Sequence, residues 1–537
     1  KVDREERPDI DQVYMTALQV YYQLVGTPRS GGWPLTMFLT PDGRPLMGGT
    51  YYPPRDRGGM TGLITVLQAV ERAWEANPQR LRENAEIVAS LVKRQLQQQA
   101  SEAVEMPGSE YSDKVLQGLA DRFDPDYGGF GYSPANSHMP KFPEPSNLMF
   151  LLEHAKLSGH DEAEAMLSTT LRRMAEGGIR DHLGGGFHRY STDRFWAIPH
   201  FEKMLYDNGQ LASVFADAYL LTGDEDFARV AGEILDFVVR DMVTPEGGFA
   251  SAIDAETDGE EGRHYVWKRQ ELKELLREEQ FDLLAEAYGV SEHGNFDGRQ
   301  VLLLPRPLAE TAKFFQLSEE ELRNQLALIF KTLLQARDRR QRPRTDTKVL
   351  TAWNGLMIRG LADGARALDD PRYLQAAREA ADFALKNLRD EDGRLLRTLA
   401  GQTKPGAYLD DYAFLVDGLI ALHRADGNRK WLKFAEELTD IQIDLFWDER
   451  HGGFFFTATD HEKLIARSKQ AVDSVLPSGN SVAVGNLVYL AAALEKPDYL
   501  DRADKTIAAF ASEMHRGPAA MPRMAVSLAA LLKAREE

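Results

Sequence analysis

Cysteine is absent from all 537 residues. That removes structural disulfides, a thiolate nucleophile and every cysteine-ligated zinc or iron-sulfur centre from consideration within this chain. No apolar run reaches the roughly 18 residues of a membrane span, so no membrane partner is expected. Basic residues are the minority, with 64 Lys and Arg against 83 Asp and Glu and a formal charge of −19. Such a surface argues against nucleic acid and anionic lipid as partners and leaves neutral or cationic ligands open. The first residues, KVDREERPD, have neither the basic start nor the apolar centre of a secretory signal, so a cytoplasmic location is the default expectation. The H-E-x-x-H, Walker and G-x-S-x-G patterns are also missing, which leaves zincin, nucleotide-hydrolase and esterase chemistry without a signature. The EF-hand spacing is missing too, and no metal or cofactor is expected.

What is present concentrates in one stretch, Arg180 to Asn208, RDHLGGGFHRYSTDRFWAIPHFEKMLYDN. It holds His182, His188 and His200, three of the chain's twelve histidines, beside Arg180, Arg189, Tyr190, Trp196, Glu202, Tyr206 and Asp207. A helix-like run from Ala163 to Glu176 precedes it, and a second is expected from Phe201 to Leu220. The ionisable residues therefore sit in a long connection whose tips can converge on one pocket. A loop that merely seals a helical pair, with Phe187 and Trp196 as plugs, is the plainer alternative.

The chain as a whole is too long for one ordinary core. Residues 1–105 read as helix, strand, turn, strand and two helices, half of a small α/β unit. From 106 to 537 amphipathic helices alternate with short loops, roughly thirteen helices in all. A glycine-aromatic loop recurs at FDPDYGGFGY, HLGGGFHRY, VTPEGGFASAIDAE and FWDERHGGFFFT, beginning at Phe123, His182, Val243 and Phe446. Recurrent two-helix units with polar loops at one end fit a closed α/α toroid of six hairpins.

The segments KVDREERPDID, GGWPLTMFLTPDG and GGTYYPP resemble the thioredoxin-like domain of proteins related to the spermatogenesis-associated thioredoxin-domain family. The resemblance continues through the stretch at Arg180, then TDTKVLTAWNGLM, DDYAFL and LPSGNSVA. It implies a mainly α protein: an (α/α)6 toroid with an N-terminal partial thioredoxin-like α/β domain. It also implies that a C-x-x-C half precedes Lys1 in relatives, and that Pro34 matches the proline facing that pair, often cis. Without thiols the Trp33-Pro34 loop is expected to be a packing element. The large domain resembles the toroids of N-acylglucosamine 2-epimerases and several glycosidase groups, which implies a sugar or other small-molecule ligand.

Two chemistries follow from the residue types. An epimerase or isomerase needs a base and an acid near neutrality, which His188 and His200 would supply, with Glu202 beside them and Asp207 orienting a histidine. A glycosidase needs two carboxyl groups, drawn from Glu202, Asp254, Glu256, Asp410 and Asp411. The run from Asp254 to Glu261 places five acids in eight residues; a solvated loop explains it equally. His264 is expected on a strand at the pocket mouth. Trp353 and Asn354 would stack on and bond a sugar, and Lys141, with His138 and Glu144 nearby, would be held by flanking prolines. A third reading is a non-catalytic recognition module. Oligomeric state is not readable from these residues.

Overall fold

The computed structural model describes residues 1–28, 30–97, 104–131, 139–159, 161–399 and 406–536, and every count or absence below refers to these. His138 lies outside them. The chain divides into two compact units, Lys1–Val104 with Ile443–Gln470, and Glu105–Gln442 with Ala471–Glu537. The inclusion of 443–470 in the first unit was not anticipated from sequence.

In the first unit, α1 (Pro8–Leu24) starts on a proline, whose missing N–H costs nothing at a helix start. A hairpin follows, β1 (Thr36–Leu39) antiparallel to β2 (Pro45–Gly49), then α2 (Leu63–Ala76) and α3 (Pro78–Leu96), the latter capped by Asn77. Val13, Ala17 and Val20 of α1 pack on Val88 and Val92 of α3, with Leu464 and Ile465 of the later segment against them. The Trp33–Pro34 peptide is cis.

The second unit is a ring of helical hairpins. Its helices are α4 (Glu110–Ala120), α5 (Pro145–Ser158), α6 (Asp161–Glu176), α7 (Leu205–Thr222), α8 (Glu225–Asp241), α9 (Arg269–Leu275), α10 (Glu278–Tyr288), α11 (Leu308–Phe314), α12 (Glu319–Arg337) and α13 (Thr351–Leu368). They continue with α14 (Pro371–Asn387), α15 (Leu409–Asp426), α16 (Arg429–Phe446, whose last turn falls in the first unit), α17 (Gly479–Leu494), α18 (Pro497–Arg516) and α19 (Pro522–Glu536). The packing closes: α5 touches α7, α7 touches α13, then α15, α17 and α19 follow in order, and α19 returns to α5. Outside this ring, α8 packs on α7 and α13, α14 on α13 and α15, and α18 on α17 and α19. Glu437 and Asp440 of α16 bind Arg389 and Tyr499, which sets that helix between its outer neighbours. The unit is an (α/α)6 toroid.

Sequence explains the two rings. The inner helices α7, α13 and α17 are apolar or small on nearly every face, as full burial demands, while α8, α14 and α18 carry one apolar stripe. Helices α9 to α12 form an insertion between α8 and α13 with its own core of Trp267, Phe281, Leu284, Leu322 and Ile329. Three of these four helices have no counterpart in the sequence reading, since α9 and α11 span only seven residues each. Two further expectations change. The helix expected from Phe201 begins at Leu205, because Lys203–Met204 pairs with Ala252–Ile253, which in turn pairs with Thr345–Asp346. His264 lies in a turn rather than a strand.

Glycines set the closeness of the inner ring. A Cβ on Gly355 would stand 2.5 Å from the carbonyl carbon of Phe414, and one on Gly360 would stand 2.4 Å from the Gly209 oxygen. Backbone there cannot move aside as a flexible side chain would. Gly355→Ala is expected to destabilise by about 1–3 kcal/mol, whereas Gly232→Ala on outer helix α8, where the new carbon meets Tyr373 at 3.6 Å, is expected to be neutral or stabilising by up to about 1 kcal/mol. Urea unfolding of the two variants checks the contrast.

Candidate functional site

The recurrent glycine-aromatic loops are built on one bonding pattern. In the loops ending at Phe130, Phe187 and Phe454, the residue two before the aromatic donates its N–H to the carbonyl of an aspartate, at 2.8, 2.9 and 2.9 Å for Asp124, Asp181 and Asp448. Each aspartate N–H returns to the carbonyl of the next glycine at 3.0, 3.0 and 2.9 Å. Both glycines sit at positive φ, open to them without strain. A lysine from further along then closes each loop. Lys141, Lys203 and Lys469 bind Asp124, Asp181 and Asp448 at 3.0, 2.8 and 2.6 Å, and each also bonds the carbonyl of Gly128, Gly185 or Gly452. The fourth loop keeps the turn with Thr244 in place of the aspartate.

This pattern accounts for several residues expected at a ligand. Lys141 is buried in its clasp, 5.0 Å above the Trp196 ring, and Trp196 donates its indole N–H to Tyr127. Arg180 is buried on the Ala175 carbonyl, Glu233 and the His182 ring. His182 bonds the Gly177 carbonyl, and burial with the Arg180 charge keeps it neutral. Asn208 pairs both its amide groups with the backbone of Phe187, and Asn354 does the same for Phe249. Glu144 is bonded to Asn147 rather than to Lys141.

The two histidines separate. His188 is buried beneath the Phe201 and Tyr265 rings with Nδ1 on the Phe201 carbonyl. Burial, with Lys203 nearby, pushes its pKa down to about 3, so it is a neutral core residue. His264 is similar, bonded to the Gln341 carbonyl and pushed down to about 4, chiefly by burial. His200, by contrast, keeps a quarter of its side chain exposed, with relative exposure 26%. Its ring stacks on Tyr190 at 5.1 Å, and Tyr190 rests on Phe142 at 4.8 Å.

His200 lies between two carboxylates, with Nδ1 2.6 Å from Glu261 and Nε2 3.4 Å from Glu202. The bond to Glu202 chiefly raises the His200 pKa, and the same bond chiefly lowers that of Glu202. Arg189 donates to Glu202 at 2.9 Å. Behind it Asp207 is buried, its Oδ2 has no hydrogen-bond partner, and burial holds its pKa well above the carboxylate range. Asp207 therefore stands beside Arg189 and Glu202 and does not orient a histidine.

Arg189 stands close enough to Tyr206, in the first turn of α7, for the two to interact electrostatically, and helical spacing leads from there to the ring axis. A cavity of about 20 Å³, room for one water, is lined by Met149, Gln210, Leu356, Arg359, Asp417, Val482 and Arg523, from all six inner helices. One or two turns nearer the helix starts, on the same faces, lie Tyr206, Trp353 and Asp410. Tyr206 and Trp353 are buried and meet edge to face at 4.8 Å. Burial and the neighbouring Asp411 raise Asp410 to about 7. Asp411 itself is structural, accepting from Ala352, Tyr408 and Arg397. Below, Arg359 and Asp417 close the floor at 2.6 Å.

Asp254 and Glu256 are exposed. The register pairing Lys203 with Ile253 brings Asp254 opposite Glu202, and the acidic run folds back so that Glu256 pairs with Glu261. Glu261 was not singled out from sequence. The turn T-D-G-E inside that run was the signal that its two ends meet.

The profile of the family described as "Protein of unknown function, DUF255", Thioredox_DsbH, matches residues 1–93. Spermatogenesis-associated protein 20 of Homo sapiens is 38% identical over 573 residues, covering 99% of this chain and 71% of that protein. The chain belongs to the spermatogenesis-associated protein 20 family. An uncharacterized protein of Caenorhabditis elegans is 34% identical over 98% of this chain and 75% of its own length. Among solved structures, a D-mannose isomerase overlaps 79% of this chain and 98% of its own at TM-score 0.49 and 10% identity. The cellobiose 2-epimerase of Spirochaeta thermophila overlaps 86% and 99% at TM-score 0.49 and 14% identity. Among the described residues no helix is long and apolar enough to cross a membrane.

In this family member the His200–Glu202 pair has a defined pH window. The raised histidine contributes stability that is full below 6.5 and lost as pH rises through its folded pKa; the lowered glutamate contributes above 4.5 and loses it as pH falls through its own. NMR titration should show His200 changing charge above 6.5 and His188 and His264 silent from pH 5 to 8. Glu202→Gln should lower the His200 midpoint, and an unchanged midpoint would contradict the pairing.

Proposed function

We propose that the mouth of the toroid performs acid–base chemistry on a free sugar, as an epimerase or isomerase, with His200 as the proton-transferring group. The observation that carries this reading is a partly exposed histidine, stacked on an aromatic ring and held between two carboxylates. In its neutral form His200 would take the carbon-bound proton at Nε2, become an imidazolium that Glu202 stabilises, and return the proton, while Glu261 on Nδ1 fixes the ring orientation. Arg189, charged and half-buried, would polarise a carbonyl or steady an enolate oxygen. Tyr190 and its Phe142 support offer a face for the apolar side of a sugar. Asp207, its pKa raised by burial beside Arg189, would be the second proton carrier. His188 has no part in this scheme.

A second reading rests on Asp410, an acid held near neutrality on the lumen face. That is what a glycosidase general acid requires. It needs a second carboxylate across the bond, a role that Glu202 would have to fill.

Incubation with aldoses and ketoses in heavy water tests the first reading. Deuterium is expected at the carbon beside the carbonyl, and His200→Ala is expected to slow its entry by about 100-fold or more with the fold intact. Wash-in unaffected by His200→Ala, or none across a broad panel, would count against it. Release of reducing sugar from glycosides, lost in Asp410→Asn, would favour the second reading.

A further inference from the structure

Away from the mouth, a second polar cavity of about 60 Å³ lies between the Arg180–Asn208 stretch, the end of α8 and the last turn of α12. Lys203, Arg240, Arg337 and Arg342 line it with Asp181, Asp241 and Asp338, so four cations face three carboxylates. Its only histidine, His264, is neutral. The lining carries one positive charge in excess, and its innermost cations, Lys203 and Arg337, are buried, where unpaired charge is costly.

The donors are in surplus as well. Lys203 has three N–H groups and two acceptors, the Asp181 carboxylate and the Gly185 carbonyl. Arg337 is 4% exposed and has five N–H groups. Nη1 bonds Asp181 at 2.7 Å, and its buried Nε has no hydrogen-bond partner. Asp181 cannot serve further, since it already accepts from Leu183, Gly184, Lys203 and Arg337. At the rim, Arg342 divides itself between Asp241 and Asp338. What the cavity lacks is an acceptor that carries negative charge. Several waters would fit the volume, but water brings as many donors as acceptors and no charge.

We propose that this cavity binds one small monovalent anion, a halide or a planar oxyanion of the bicarbonate, nitrate or formate class. The bound anion would bridge Lys203 of the toroid and Arg337 of the insertion, joining the insertion to the strand that follows Glu202. This inference does not depend on the reading of His200.

Thermal unfolding at fixed ionic strength provides the test, with glutamate, a larger anion, exchanged stepwise for bromide, nitrate or formate. Raising the small anion from about 1 to about 100 mM is expected to lift the midpoint by roughly 1–2 °C. Arg342→Gln, at the exposed rim, removes the excess charge and is expected to abolish the rise. Crystals grown with bromide should show anomalous density within hydrogen-bond reach of Lys203 Nζ. No anion-dependent rise, a rise that persists in Arg342→Gln, or no bromide in the cavity would each overturn the proposal.

Discussion

The buried aspartate–lysine clasp is the constraint on which the rest of the second unit depends. A glycine pair at positive φ turns the chain, an aspartate takes the turn's amide hydrogens, and a lysine seventeen or twenty-two residues later ties that carboxylate to the loop carbonyl. Burying both charges is costly unless each finds its partner in good geometry. Here each lysine has both a carboxylate and a carbonyl, and Asp181 stays ionised because Arg337 and Lys203 outweigh its burial. The clasp thus fixes where the chain leaves one helix and enters the next.

Fixed entry points let the ring close. Inner helices that begin at one end and touch through glycine backbones put six N-termini around one axis, where helix dipoles favour negative charge. Burial opposes that preference at Asp207 and Asp410 and leaves both above the ordinary carboxylate range. Nearer solvent the balance reverses: Glu202 and His200 are exposed enough, and close enough to each other, to stay charged. Acids of raised pKa inside and a histidine–carboxylate pair nearer solvent follow from depth together with the His200–Glu202 contact.

The ring was legible because period and repetition are local properties: helical spacing marked most inner and outer helices, and the four loops announced a repeated hairpin. The roles of the residues in those loops were not legible. Lys141, Arg180 and His182 read as ligands because their partners, Asp124, Glu233 and the Gly177 carbonyl, give no sign in sequence of being near. His188 and His200 have the same side chain twelve residues apart, yet one lies under two rings and the other between two carboxylates. Depth decides that difference, and neither spacing nor composition records it. Glu261 was hidden for the opposite reason, since an acidic run reads as solvated surface unless its central turn is seen to bring its ends together. Within the insertion α12 was read and α9, α10 and α11 were missed, α9 and α11 because seven residues are too few for periodicity to be read.

The coupling energy between Asp124 and Lys141, from urea unfolding of Asp124→Asn, Lys141→Met and the double variant, tests the clasp most directly. Asp124→Asn, which leaves Lys141 buried without a carboxylate, should cost about 3–5 kcal/mol; Lys141→Met should cost less, because Arg194 still pairs Asp124; and the double should cost less than the two together by at least about 2 kcal/mol. Additivity to within about 0.5 kcal/mol would mean that the pair is not what holds the loop.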